Sequence, residues 1–255
     1  CGPPGQCARV AQKGHLGHPE RARGRSPACG CPQRLQAAEQ SGGGKVYLEY
    51  EPKVAAIGAG LDIFKPRGSM VIDMGGGTSD IAILSLGDIV ASQSIRMAGD
   101  KLNSDITAYI KDHHGLVIGE HTAEQIKMEI GTALPVDEPK KMDVRGRDVA
   151  TGMPKQITTD ENEIEEAIHG TLDQIVKATI GVLETIPPEL ASDIIDRGIM
   201  LTGGTSLPKG IDQLFSDQLK VPVVVSQDPL DNVAKGAGEM LERMQKTDSN
   251  KKGKD

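Results

Sequence analysis

Asp73-Met74-Gly75-Gly76-Gly77-Thr78-Ser79-Asp80 sits between two apolar runs, Met70 to Met74 and Ile81 to Leu84. The pattern predicts a strand, a glycine turn and a second strand. With no Cβ on three successive residues, backbone N–H groups can converge on phosphate oxygens, and Thr78 adds a hydroxyl donor. Asp73, at the strand end, is placed to hold a hydrated Mg²⁺. A plain hairpin turn needs only one or two residues with positive φ and seldom has an acid at each end, so the stretch is read first as a phosphate loop.

Outward from this turn, apolar periodicity divides the chain from Lys45 onward. Val46-Tyr47-Leu48 is a short strand, and Glu51-Pro52 opens an Ala-rich helix over Lys53–Gly60, with proline in the first turn where its missing N–H costs little. Strands are predicted at Met70–Met74, Ile81–Leu86 and Ile89–Ile95, the last two joined by Gly87-Asp88. Helices follow over Lys101–His113 and Thr122–Ala133, then a hairpin from Met142–Val149 and Met153–Ile157. The longest helical pattern, Glu163–Ile186, carries Ile164, Ile168, Leu172, Ile175, Val176, Ile180 and Leu183 on one face and stops at Pro187-Pro188.

Ile199–Thr202 is a buried strand leading into Gly203-Gly204-Thr205-Ser206. A helix over Lys209–Leu219, a strand at Val221–Val225 and a helix over Val233–Met244 follow, with a Lys-rich disordered tail beyond. Antiparallel strands first, then strands alternating with helices, predict an α/β fold, a mixed sheet with flanking helices.

At 255 residues, 37% hydrophobic and 25% charged, the composition fits a soluble globular protein of one large or two small domains. A net charge of -7, 2% aromatic content and no Trp argue against a nucleic-acid binder. No apolar stretch reaches the ~18 residues of a membrane span, so a cytoplasmic location, at most peripheral to a membrane, is expected.

Residues 1–44 differ in character. Six basic residues (Arg9, Lys13, Arg21, Arg23, Arg25, Arg34) face two acids (Glu20, Glu39), all four cysteines lie here, and Ile, Phe and Tyr are missing. The segment has neither helical nor strand periodicity and reads as aberrant or disordered. Cys7, Cys29, Cys31, His15 and His18 are zinc-type ligands, but the paired C-x₂-C spacing is absent. Nothing indicates export, which disfavours a disulfide framework.

Four separated segments require one explanation: the glycine turn, the Thr202 to Ser206 turn, Glu51 to Gly60, and Thr122 to Lys127. No G-x-x-x-x-G-K-[ST] loop accompanies them. A nucleotide held by glycine turns without that loop resembles the actin, sugar kinase and heat-shock chaperone ATPase superfamily. Within it the chain is closely similar to the MreB/Mbl family of bacterial actin-like rod-shape-determining proteins. The similarity is carried by Tyr50 to Leu61, Val71 to Asp80, Gly99-Asp100-Lys101, Ile118 to Lys127 and Ile199 to Gly204, within about Lys45 to Gln245.

The resemblance implies an actin-like (ribonuclease H-like) ATPase fold, represented mainly by its second lobe. Residues 58–97 and 163–228 correspond to subdomain IIA, 98–162 to IIB, 45–57 to a remnant of IA, 229–246 to its C-terminal helix, and 247–255 to a disordered tail. It implies binding of ATP and Mg²⁺. Asp73, Gly75, Gly76, Gly77 and Thr78 would form the second phosphate loop, with Asp73 on the Mg²⁺ side, and Gly203, Gly204, Thr205 and Ser206 the adenosine motif. The segment Glu124-Gln125-Ile126-Lys127 would meet the ribose, through Glu124 and Lys127 on one helix face.

Glu51 would polarise the water that attacks the nucleotide, giving slow hydrolysis. By themselves, Glu124 and Lys127 would read as a surface ion pair, and Glu51 as a solvated acid at a helix start. The family further implies self-association into filaments at the inner face of the cytoplasmic membrane, and partners in the cell-wall elongation machinery.

The departures are at the start. Members of the family begin with an Asp-x-Gly-Thr phosphate turn and subdomain IB, which nothing in residues 1–44 resembles. Cys1-Gly2-Pro3-Pro4-Gly5 resembles a later Cys-x-Pro-x-Gly strand, and the stretch from Cys7 to about Arg34 reads as a reading-frame disruption. On this reading half of the cleft and one filament face are missing, and the fragment polymerises poorly. The alternatives are a non-functional fragment of such a protein, or a kinase or chaperone ATPase of the same superfamily.

Overall fold

The computed structural model of the chain describes residues 7–12 and 45–252, with side chains over 46–244. Its elements run β1 (Cys7–Gln12), β2 (Lys45–Tyr50), α1 (Glu51–Gly58), β3 (Ser69–Met74), β4 (Ser79–Ser85) and β5 (Asp88–Ile95). Then come α2 (Gly99–His114), β6 (Leu116–Val117), α3 (Glu120–Ile130), β7 (Lys141–Asp148), β8 (Pro154–Asp160) and α4 (Glu161–Leu183). The last elements are α5 (Pro188–Arg197), β9 (Ile199–Thr202), a 3₁₀ turn (Gly204–Ser206), α6 (Ile211–Leu219), β10 (Val223–Val225) and α7 (Asn232–Lys252).

The centre is a five-stranded mixed sheet in the order β10-β9-β3-β4-β5. β3, β4 and β5 form an antiparallel meander, whereas β9 runs parallel to β3 and β10 parallel to β9. Every residue of β3 is buried. Its alternate side chains therefore enter two cores: Met70, Ile72 and Met74 join Ile81, Ile83 and the helical residues Leu102, Ile126, Ile168 and Phe215. Val71 faces the other way, with Ala82, Leu84, Val54, Ile57 and Met240. A strand covered on both faces reads as a continuous apolar run rather than an alternation.

Residues 99–160, inserted between β5 and α4, carry α2, α3 and a smaller sheet in the order β6-β7-β8. Asp160 caps α4 by accepting from the Asn162 and Glu163 backbone N–H groups. The 23 residues of α4 span about 35 Å and bury Ile164, Ile168, Leu172, Ile175 and Val176 at helical spacing.

Several sequence expectations are corrected. The long helix does stop ahead of Pro187-Pro188, at Leu183, but the sequence reading missed the helix these prolines open: Pro187 is the N-cap of α5 and Pro188 its first residue, where proline loses no helical hydrogen bond. α7 continues to Lys252, so the predicted disordered tail is helical up to that residue. Residues 1–44 were expected to hold no strand, yet Cys7–Gln12 pairs antiparallel with Lys45–Tyr50. The candidate zinc ligands Cys29, Cys31, His15 and His18 lie outside the described residues.

Candidate functional site

Sheet polarity builds the site. Because β3 and β9 are parallel, their C-terminal ends emerge side by side, with Asp73 opposite Thr202. On its other flank Asp73 pairs with Asp80 of β4. The glycine turn after β3 and the turn after β9 therefore share one edge of the sheet, where ligands of open α/β sheets collect.

The glycine turn closes with the Gly75 N–H donating to the Thr78 carbonyl at 2.9 Å. The N–H groups of Gly76, Gly77 and Thr78 make no backbone hydrogen bond within the described residues. A Cβ built at Gly75, Gly76 or Gly77 would meet no heavy atom nearer than 3.5 Å, so packing inside the protein does not demand glycine there. Three unpaired donors beside open space form an anion cradle, and a side chain would fill it.

Two details correct the sequence reading. Gly75 contributes its N–H to the turn rather than to a ligand. The Thr78 hydroxyl donates to Asp80 Oδ2 at 3.2 Å, so Thr78 presents lone pairs to the cleft instead of a donor.

Across the cleft, the Thr205 hydroxyl donates to the Gly75 carbonyl at 2.7 Å, and the same carbonyl accepts from Gly99 N–H at 3.2 Å. Lys127 Nζ donates to the Gly99 carbonyl at 3.3 Å. Burial lowers the Lys127 pKa, opposed by the negative charges of Glu124 and Asp100. Gly203 has φ 84° and ψ 160°, a conformation almost confined to glycine, and a Cβ there would lie 2.2 Å from the Met74 carbonyl oxygen. Ser206 turns inward, its hydroxyl donating to the Gly203 carbonyl at 2.6 Å.

Asp73 is buried, and its pKa is pushed up to about 7, first by desolvation and then by the charges of Glu51 and Asp80. Asp80 is also buried, and its Oδ1 has no hydrogen-bond partner. An unpaired buried carboxylate oxygen beside a raised Asp73 is a site short of positive charge. Carboxylate and hydroxyl oxygens are the donors that Mg²⁺ takes. Among the described residues no group of three or more His, Cys, Asp or Glu side chains could hold a metal ion.

Of the predicted residues, Glu51, Asp73, Gly75 to Thr78, Lys127 and Gly203 to Thr205 are thus brought together, with Glu124 acting on Lys127 through its charge. Gln125 and Ile126 are not. Gln125 donates to Glu129 at 2.9 Å on the exposed face, and Ile126 is buried in the core. Helical geometry explains this, because only positions 124 and 127 of that turn share a face. Gly99 and Asp100 belong to the same constellation, and sequence reasoning gave them no role there. Their signal was that Gly99-Asp100-Lys101 is one of the segments carrying the family resemblance.

A five-stranded mixed sheet covered by helices on both faces, with a smaller α/β insertion and glycine turns meeting at the strand ends, is an actin-like fold. The chain matches the model of the family described as MreB/Mbl protein over residues 34–249, and it belongs to that family. It is 54% identical over 211 residues to the cell shape-determining protein Mbl of Bacillus subtilis, covering 83% of this chain and 63% of that protein. It is 47% identical over 207 residues to the cell shape-determining protein MreB of Escherichia coli, covering 81% and 60%. Among solved structures, MreB 5 of Spiroplasma citri bound to AMPPNP superimposes with a TM-score of 0.82 at 36% identity, covering 86% of this chain and 66% of the other. The chain thus spans about three fifths of the length of the curated relatives it matches. The family match begins at residue 34, eleven positions before the boundary drawn from composition.

Proposed function

We propose that this chain is the nucleotide-binding part of an ATP-binding bacterial actin-like cytoskeletal protein. In this reading its filaments lie along the cytoplasmic membrane and direct cell-wall synthesis and rod shape. The observation that carries the nucleotide reading is the cradle of three unpaired N–H groups at Gly76, Gly77 and Thr78, joined across the cleft to Thr205 and Lys127. The nucleotide held by the Spiroplasma citri relative is consistent with it. No helix among the described residues is long and apolar enough to cross a membrane.

The cradle holds the terminal phosphates, Lys127 and Glu124 the ribose, and the backbone at Gly203 and Gly204 the purine. Asp73 and Asp80 would be the residues that hold Mg²⁺, and the chemistry it would supply when bound is neutralisation of charge on the phosphates. Glu51, whose charge acts on Asp73, accepts one proton from the attacking water as that oxygen bonds to the terminal phosphorus and the leaving diphosphate departs. The Thr78 hydroxyl oxygen accepts a hydrogen bond from the water's other O–H, which stays on the phosphate product. In subdomain terms, the five-stranded sheet is IIA, residues 98–162 are IIB, and β2, α1 and α7 belong to IA.

Calorimetric titration of the chain with ATP and Mg²⁺ tests this reading. Binding that is retained in Glu51→Ala while hydrolysis is lost supports it, and sedimentation with nucleotide reports filament assembly. A chain that binds no nucleotide is a non-functional fragment, and one that phosphorylates a supplied sugar is a kinase.

A further inference from the structure

Asp100 occupies an unexpected position for a phosphate site. It lies in the first turn of α2, and its N–H donates to the Gly76 carbonyl at 2.8 Å, which pins it to the glycine turn. Its carboxylate oxygens lie 3.5 Å and 3.8 Å from the points where Cβ atoms of Gly76 and Gly77 would stand. The side chain is exposed, and it makes no hydrogen bond or ion pair among the described residues. A negative charge therefore overhangs the turn whose free N–H groups invite an anion.

The surroundings repeat the conflict. Asp73 and Asp80 lie at the base of the turn, Asp80 with an unpartnered buried oxygen, and Lys127 is the cation of the constellation among the described residues. A bare polyphosphate entering here meets like charges a few ångströms away. A polyphosphate carrying a divalent ion meets carboxylates that can accept hydrogen bonds from the ion's waters, because a bound cation inverts the local electrostatics.

We propose that Asp100 makes the cleft selective for a nucleotide that arrives with its divalent cation, and against the bare polyphosphate. The proposal rests on the nucleotide reading above. Asp100 contacts no base or sugar in this role. It acts on the charge state of the ligand.

The test is titration of the full chain with a methylanthraniloyl-labelled ATP, once in Mg²⁺ and once in EDTA at matched ionic strength. In Asp100→Asn the ratio of affinities in the two buffers is expected to fall about three- to tenfold, through tighter binding in EDTA. Asp100→Glu keeps the ratio, and so does Asp112→Asn, which removes an equal charge from the exposed far end of the same helix. An unchanged ratio in Asp100→Asn, or an equal fall in Asp112→Asn, overturns the proposal. Asp100→Ser is a second neutral variant with good helix-start propensity, and failure of both neutral variants to fold would assign Asp100 a structural role instead. Lack of binding by the unmodified chain in both buffers overturns the nucleotide reading itself, a result distinct from an unchanged ratio.

Discussion

The Thr205 hydroxyl reaches 130 positions back along the chain to the Gly75 carbonyl, at 2.7 Å, and fastens the turn after β9 to the turn after β3. Both residues follow parallel neighbouring strands, so the bond reports the relative height of the two strand ends. Thr205→Val keeps the shape and removes the donor. It is expected to lower unfolding stability by about 1 kcal/mol and to weaken nucleotide affinity several-fold, while Thr205→Ser restores both. Denaturant titration and calorimetry measure the two effects, and a Val variant indistinguishable from the parent would contradict the linkage.

Gly203→Ala is expected to be among the most damaging changes at the cleft. The new Cβ would approach the Met74 carbonyl oxygen to 2.2 Å and Asp73 Oδ1 to 2.8 Å, at a φ of 84°. Backbone must move to admit it, at a cost of roughly 2–4 kcal/mol. Gly76→Ala, which meets nothing nearer than 3.5 Å, should leave stability nearly intact and impair nucleotide binding. Melting curves of the two variants make the comparison.

Asp73 predicts a pH dependence. Its folded-state pKa is raised from 3.8 to about 7, so the folded protein binds this proton more tightly than the unfolded chain. The stabilising contribution is fully present below the unfolded value and is lost as pH rises toward 7. In metal-free buffer, Asp73→Asn should therefore flatten the decline between these limits and exceed the parent in stability above pH 7, by up to roughly 4 kcal/mol. Parallel pH–stability curves of parent and variant would reveal it, and identical slopes would refute the assigned burial.

Gly236→Ala tests the attachment of α7. A Cβ there would lie 1.9 Å from the Val54 carbonyl oxygen, and one at Gly58 would lie 1.8 Å from that of Asn232. The two helices touch backbone to backbone, which only glycine permits. The expected outcome is a loss above about 2 kcal/mol with exposure of the small core around Val54, Ile57 and Met240, read by chemical denaturation and dye binding. Gly238→Ala on the same helix, with nothing near its Cβ, serves as the tolerant control.

Legibility followed the locality of the cause. β3 and β4 could be read because buried runs bracket a glycine turn, and α4 because its apolar stripe repeats every three to four residues. α5 was missed because a double proline marks a helix start as well as a stop, and only the neighbouring contacts decide between them. Asp193 Oδ2 accepts from the Gly68 N–H at 2.7 Å, and Arg197 donates to Ser69 Oγ at 3.0 Å, contacts more than a hundred positions apart. In the site, residue types were visible but hydrogen-bond direction was not. Nothing local reveals that the Thr78 hydroxyl donates a hydrogen bond to Asp80, or that Gly75 closes its own turn.

The sequence by itself determined the family, the mixed α/β pattern and the glycine-rich turns, because these depend on residue order and short-range sterics. Tertiary structure alone decided which donors stay unpaired, which acids are buried, and that Asp100 overhangs the phosphate turn. Those properties arise from strand ends and a helix start meeting across long stretches of chain, where desolvation and charge depend on neighbours that no local pattern specifies.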